Sequence, residues 1–162
     1  MRLGDIAIVY DGPHATPKKI KSGSVFLGIS NLDHGRIDLA SHDCISEEEF
    51  IKWTKRILPK EGDFVFSYET RLGEAALIPK GLKCCLGRRM GLIRPIDNRL
   101  NTKYLLYLWL SPQMKKRIEE QKIHGSTVER ISIKELPNWE IPLPPLPEQE
   151  RIAGLMSAYD DK

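Results

Sequence analysis

Apolar residues come in short bursts along the first hundred positions of this chain and fall into helical spacing only afterwards. Residues 3–9, ending in Ile6, Ala7, Ile8 and Val9, predict a first strand, and Asp11-Gly12-Pro13 closes it with a strong turn signal. Residues 25–29 predict a second strand, and 36–39 resume extended structure after the turn at 30–35. Ser46 with Glu49 three positions on makes a capping box, so Phe50, Ile51, Trp53 and Ile57 line one side of a helix that ends near Leu58-Pro59. Phe64-Val65-Phe66 and residues 75–78 are further short strands, and 86–94 reads as one strand broken at Gly87 and Gly91. So many short strands between turn signals predict an α+β fold built on a curled, largely antiparallel sheet with flanking helices.

Beyond Asn101, a candidate N-cap, Tyr104, Leu105, Leu108 and Trp109 match a helix. Ser111-Pro112 restarts a second helix over 112–121, since proline suits the first helical position. Trp139, Ile141 and Leu143 then alternate as a half-buried strand. Pro142, Pro144, Pro145 and Pro147 remove backbone donors and keep the path extended. Glu148, Gln149 and Glu150 fill the first turn of a last helix, where carboxylates suit the positive end of the dipole. Ile152, Leu155, Met156 and Tyr159 form one apolar stripe along it. The pattern predicts a domain over 1–146 and the start of a projecting helix over 147–162 whose stripe needs a partner.

Composition narrows the function more than the fold. A length of 162 residues suits one domain with a substantial core. The net charge of only +3 excludes a histone-like tail, so any nucleic-acid site must come from local clustering of the 25 Lys and Arg. Cys44, Cys84 and Cys85 have no metal-ligand spacing and cannot all pair, which reads as reduced thiols in a cytoplasm. No apolar run approaches the ~20 residues of a membrane span, and no signal-peptide core follows Met1-Arg2. Soluble and cytoplasmic is the resulting expectation, with no membrane partner. Walker-type and Gly-x-Gly-x-x-Gly loops are missing, as are clustered histidines, so neither a metal nor a nucleotide cofactor is expected here. Pro144-Pro145 lacks the flanking residues of an adenine-methylating site, and Glu69-Thr70-Arg71 has Arg where a nuclease would carry Lys. The expectation is a reader without catalytic residues.

The junction Ile141-Pro142-Leu143-Pro144-Pro145-Leu146-Pro147-Glu148-Gln149-Glu150-Arg151-Ile152-Ala153 resembles that of specificity subunits of type I restriction–modification systems, where a target-recognition domain hands over to a spacer helix. The resemblance extends through Leu3-Gly4-Asp5-Ile6, residues 26–32, 62–67, 91–95 and 104–108, and Gly125-Ser126-Thr127. It implies sequence-specific recognition of one half of a bipartite site on double-stranded DNA. It also implies partners: a modification (methyltransferase) subunit, a restriction/motor subunit, and a second recognition domain or second copy of the chain. S-adenosylmethionine, ATP and Mg would sit on those partner subunits, with no cofactor in this chain. Matching one such half, the chain reads either as a fragment or as a half-length version.

Reading DNA needs cations to fix register on phosphates and forked side chains to meet base edges. Loops joining strands of a rigid sheet suit both. Tyr68, Thr70, Arg71, Arg88 and Arg89 are therefore the candidates for base or groove contact. Lys18, Lys19, Lys83, Ser126, Thr127 and Arg130 are candidates for phosphate. Each also reads as solvated surface on its own. Ile152, Leu155, Met156 and Tyr159 are the candidates for packing against another subunit's helix. The competing reading takes 142–147 as a polyproline ligand and the chain as a protein-interaction adaptor without DNA binding.

Overall fold

A computed structural model describes residues 1–14, 16–124 and 127–162. In chain order the strands are β1 (Ala7–Asp11), β2 (Lys19–Ile20), β3 (Ser24–Leu27), β4 (Leu32–Asp33), β5 (Arg36–Ile37), β6 (Asp43–Ile45), β7 (Phe64–Ser67), β8 (Ala75–Leu77), β9 (Cys84–Leu86) and β10 (Met90–Pro95). Helix α1 (Glu47–Trp53) lies between β6 and β7, and α2 (Thr102–Leu110), α3 (Pro112–Gln121) and α4 (Leu146–Asp160) follow β10. A central sheet runs β1-β10-β7-β8, all antiparallel, and a second runs β2-β6-β3-β9 with β3 and β9 parallel. A small β4-β5 hairpin completes the sheet structure of the described residues.

Side-chain alternation explains the layering. Along β7, Phe64 and Phe66 turn to one face, where Trp109 of α2 meets both rings at centroid distances of 5.3 and 5.2 Å. Val65, between them, joins Leu27, Leu86, Met90 and Leu92 in a separate cluster between the two sheets. Both faces are covered, so every residue of β7 is buried. Helix α1 closes the far side, with Phe50 packed on Phe26, Ile45 and Cys85. Ser46 caps α1 as expected, its Oγ accepting from the Glu49 N–H at 3.2 Å. Asn101 and Ser111 cap α2 and α3 in the same way.

Five expectations are corrected. Residues 86–94 are two strands in different sheets, because the chain changes sheet at Gly87. A side chain there would place Cβ 2.4 Å from the Leu27 carbonyl oxygen, and Arg89 turns the chain with φ of +66°. Gly91 is no break; it lies inside β10 against the Phe66 ring. Residues 3–5 form a 3-10 turn before β1, and α1 stops at Trp53, where the Thr54 hydroxyl donates to the Phe50 carbonyl at 2.7 Å. Residues 139–143 run extended, with Trp139 and Ile141 buried, but among the described residues they make a single bridge, Arg2 to Glu140.

The last helix is present, yet it lies along α2 instead of leaving the domain. Ala153 is buried, Ile152 packs on the core, the Tyr107 hydroxyl donates to Asp160 Oδ2 at 2.7 Å, and Arg36 donates to the Asp160 carbonyl at 3.0 Å. The predicted stripe is thereby split: Ile152 turns inward, while Leu155, Met156 and Tyr159 stay exposed.

Gly91 gives a direct check on this packing. A Cβ there would stand 2.5 Å from Cζ of Phe66, whose ring is held by Phe64 and Trp109. Gly91→Ala is expected to cost about 2 kcal/mol through overpacking, read as a lower denaturant midpoint at unchanged slope.

Candidate nucleic-acid interface

Three strands of the central sheet share one end. The register pairs Asp11 with Gly91 and Met90 with Ser67, so the exit of β1, the exit of β7 and the start of β10 lie side by side. The loops that spring from this edge are 12–14, 68–74 and 87–89. A fourth segment is stitched on: the Ile131 N–H donates to the Tyr68 carbonyl at 2.9 Å, and Arg130 bridges both Glu69 and Ile123. Tyr68 N–H in turn donates to the Arg89 carbonyl at 3.2 Å. Residues far apart in sequence are thus brought to one rim.

Among the candidates for base contact, Tyr68 is corrected. Its side chain is buried, and its hydroxyl donates to Asp11 Oδ1 at 2.9 Å. Burial, then that bond, pushes its pKa above the usual tyrosine value, so it stays a protonated donor. A ring so enclosed cannot stack on a base; it pins the loop. The other four sit on the rim. Thr70 and Arg88 are exposed, and Thr70 and Arg89 both adopt left-handed backbone, with φ of +69° and +66°. Arg89 ion-pairs with Glu69. Arg71 reaches the Ile29 carbonyl at 3.3 Å and Glu74 at 3.6 Å while remaining partly exposed. Arg88 has no ion pair among the described residues.

The phosphate candidates divide. Thr127 and Arg130 are exposed on the segment beside Glu69, and Ser126 lies outside the described residues. Lys18 is exposed after the first loop. Lys19 and Lys83 are not brought to the rim. They flank the second sheet at the Ser24 and Val25 end of β3, away from the Gly87 turn. Each already holds a carboxylate, Lys19 with Asp43 at 2.8 Å and Lys83 with Glu47 at 2.8 Å. Lys83 also covers the Phe50 ring at 4.6 Å.

Sequence reasoning missed a group beside the same rim. Asp11–His14 forms one wall of a cleft of about 290 Å³, and residues 52–57 form the other, with Lys52, Lys55 and Arg56 along it. The readable signal was three cations within five positions, but the expected helix ran on to Leu58-Pro59 and its polar positions were not considered.

The chain matches the family model described as the type I restriction modification DNA specificity domain over residues 1–162. It is 29% identical, over 96% of its own length, to a Methanocaldococcus jannaschii protein provisionally named the type I restriction enzyme MjaX specificity subunit, and spans 37% of that relative. It is 23% identical over 82% of its length to the EcoBI specificity subunit of Escherichia coli, spanning 28% of it. It therefore covers about a third of the length of the curated relatives it matches. A solved chain from work on assembly and conformational transition of the type I R-M system superposes with a TM-score of 0.69 at 25% identity, covering 99% of this chain and 37% of that one. The S subunit from M. genitalium shares the fold, with a TM-score of 0.66 at 18% identity over 99% of this chain and 38% of that one. The four-layer fold, the proline-rich junction and the match along its whole length agree: this chain belongs to the type I restriction modification DNA specificity domain family.

Proposed function

We propose that this chain reads one half of a bipartite duplex target as the recognition part of a type I specificity subunit. The observation that carries the reading is the gathering of Arg71, Arg88, Arg89 and Arg130, from three separate segments, at one sheet edge whose loops are cross-linked by backbone hydrogen bonds. Arginines on a rigid rim can meet guanine edges in the major groove with two hydrogen bonds each. Arg88, Arg89, Arg71 and Thr70 are assigned to base or groove contact, and Thr127, Arg130 and Lys18 to phosphate. The left-handed turns at Thr70 and Arg89 fit this role, since strained backbone gathers where side chains must be aimed.

The chain supplies recognition and no catalysis. Modification and restriction subunits would bring S-adenosylmethionine, ATP and Mg, and the exposed face of Leu155, Met156 and Tyr159 on α4 would pack against a second recognition half or a second copy. Cys44, Cys84 and Cys85 are free and buried, and burial pushes the Cys84 and Cys85 thiols up to about 12, which suits work in the cytoplasm. The adaptor reading gains no support: the Pro142 carbonyl accepts from the Tyr104 hydroxyl at 2.9 Å and the Pro144 carbonyl from Gln149 at 2.9 Å, so two acceptors of the proline segment are used within the domain, while the Pro142, Pro145 and Pro147 rings stay exposed.

Selection of duplexes from a randomised pool at near-physiological salt, with the chain alone and with its modification subunit, tests the reading. A short enriched motif is expected. Arg88→Ala should relax one or two of its positions by about 10- to 100-fold while leaving the rest intact. Binding without any motif, or no binding by the folded chain in either condition, would overturn it.

A further inference from the structure

The cleft beside the rim is cationic from within. Lys52, Lys55 and Arg56 are exposed, and none has a carboxylate partner among the described residues. That sets them apart from Lys19, Lys83, Arg94, Arg99 and Arg151, each of which holds an acid within 3 Å. The cleft's own carboxylate is engaged elsewhere: Asp11 Oδ1 takes the Tyr68 hydroxyl at 2.9 Å, and Oδ2 takes His14 Nε2 at 2.6 Å. A helix C-terminus favours one nearby cation, which accounts for Lys52 in the last turn of α1. Lys55 and Arg56 lie past the Thr54 cap, where that explanation no longer reaches. Lys52 Nζ stands 4.9 Å over the Trp53 ring, which gives the cleft a firm aromatic wall.

The cleft is also continuous with the reading edge. Gly12 N–H donates to the Met90 carbonyl at 2.9 Å, directly after the Arg88-Arg89 turn, and Asp11 pairs with Gly91 across the ladder. Its opposite wall is the segment leaving α1.

Resting on the DNA-recognition reading, we propose that Lys52, Lys55 and Arg56, with His14, form a seat for a backbone phosphate of the duplex next to the bases met at the Arg88-Arg89 turn. The chemistry asks for a monoanionic phosphodiester: a concave pocket with four donor side chains against one carboxylate, Asp11, whose oxygens are both hydrogen-bonded to Tyr68 and His14. Its function is to fix register, so that the rim arginines meet a defined step of the duplex.

The test uses the whole chain with its modification subunit and the double substitution Lys55→Gln/Arg56→Gln. Both positions are exposed, and an unchanged thermal midpoint confirms folding. Affinity is expected to fall about tenfold for target and unrelated duplexes alike, the slope of log K against log salt to become shallower by about one, and the enriched motif to stay the same. Lys55→Arg/Arg56→Lys should restore the slope. An unchanged slope and affinity, with the wild type still enriching its motif, would overturn the phosphate seat and leave the recognition reading intact. A motif that changes at an unchanged slope would make these base contacts and overturn it as well. Wild type binding no duplex at all would remove both.

Discussion

Gln149→Leu is expected to lower the stability of the chain by about 3 kcal/mol, a fall in melting temperature of roughly 6–12 °C for a domain of this size. Gln149 is fully buried, and every polar atom of its amide is used. Its Nε2 donates to the Arg99 carbonyl at 2.8 Å and to the Pro144 carbonyl at 2.9 Å, while its Oε1 accepts from the Asn101 N–H at 2.9 Å. One side chain thus ties the first turn of α4 to the proline segment before it and to the N-terminus of α2. Leucine fills the space but leaves one donor and two acceptors without partners, and each such buried group costs about 1–3 kcal/mol. Partial relaxation keeps the sum near the lower end. Gln149→Glu should show the same loss with a pH dependence. The protonated acid can donate to one carbonyl, whereas the ionised form faces two carbonyl oxygens, so the deficit grows as pH rises. Hydrogen exchange gives the location: amides of α4 should lose protection before those of β7 and β10. Uniform loss across the chain, or a cost under 1 kcal/mol, would sink the latch.

That latch shows where the sequence was readable and where it was not. Local signals carried well: Ser46 and Asn101 cap the helices their side chains announced, because capping depends on residues three positions apart, and Pro112 opens α3 behind a Ser111 cap. The buried strand at Phe64–Ser67 was visible as an apolar run. What failed were features set by partners distant in sequence. Leu86 and Met90 look alike along the chain, but Leu27 holds the first in the second sheet and Ser67 the second in the central one. Gln149 reads as a polar first-turn residue and is in fact the joint between helix and domain. At the rim, Arg71 was singled out on a loop between strands, whereas Arg88 and Arg89 were singled out inside an expected strand that proves to be a turn. Tyr68 was misread as a contact residue because nothing near it in sequence reveals Asp11 beneath its hydroxyl. Lys55 and Arg56 were passed over because the helix was extended past Thr54.

The second large effect lies at the opposite end of the same strands. Arg94→Met is expected to cost about 3 kcal/mol or slightly more, the usual price of stranding one member of a buried ion pair. Asp63 is only 2% exposed. Its carboxylate takes Arg94 Nε at 2.8 Å on Oδ1, and Arg94 Nη2 at 2.5 Å and the Lys60 N–H at 2.8 Å on Oδ2. Arg94 also donates to the Leu58 carbonyl at 2.9 Å, so the pair stitches the 58–63 connection to the far end of β10. Methionine keeps the apolar stem and removes the charge, leaving an ionised carboxylate facing one amide. Asp63→Asn/Arg94→Met should recover most of the loss, because no uncompensated charge remains, and a double-mutant cycle over the four proteins isolates the coupling. A single substitution costing under 1 kcal/mol would mean the carboxylate is solvated in spite of its burial. The pair sits where Ile93 meets Phe64, at the end of the ladder remote from the Ser67 and Met90 rim. Below its lowered melting point, Arg94→Met should therefore enrich the same duplex motif as the wild type, whereas Arg88→Ala changes the motif at an unchanged midpoint. Those opposite outcomes on two arginines at either end of one strand would separate holding β10 in place from reading DNA with its turn.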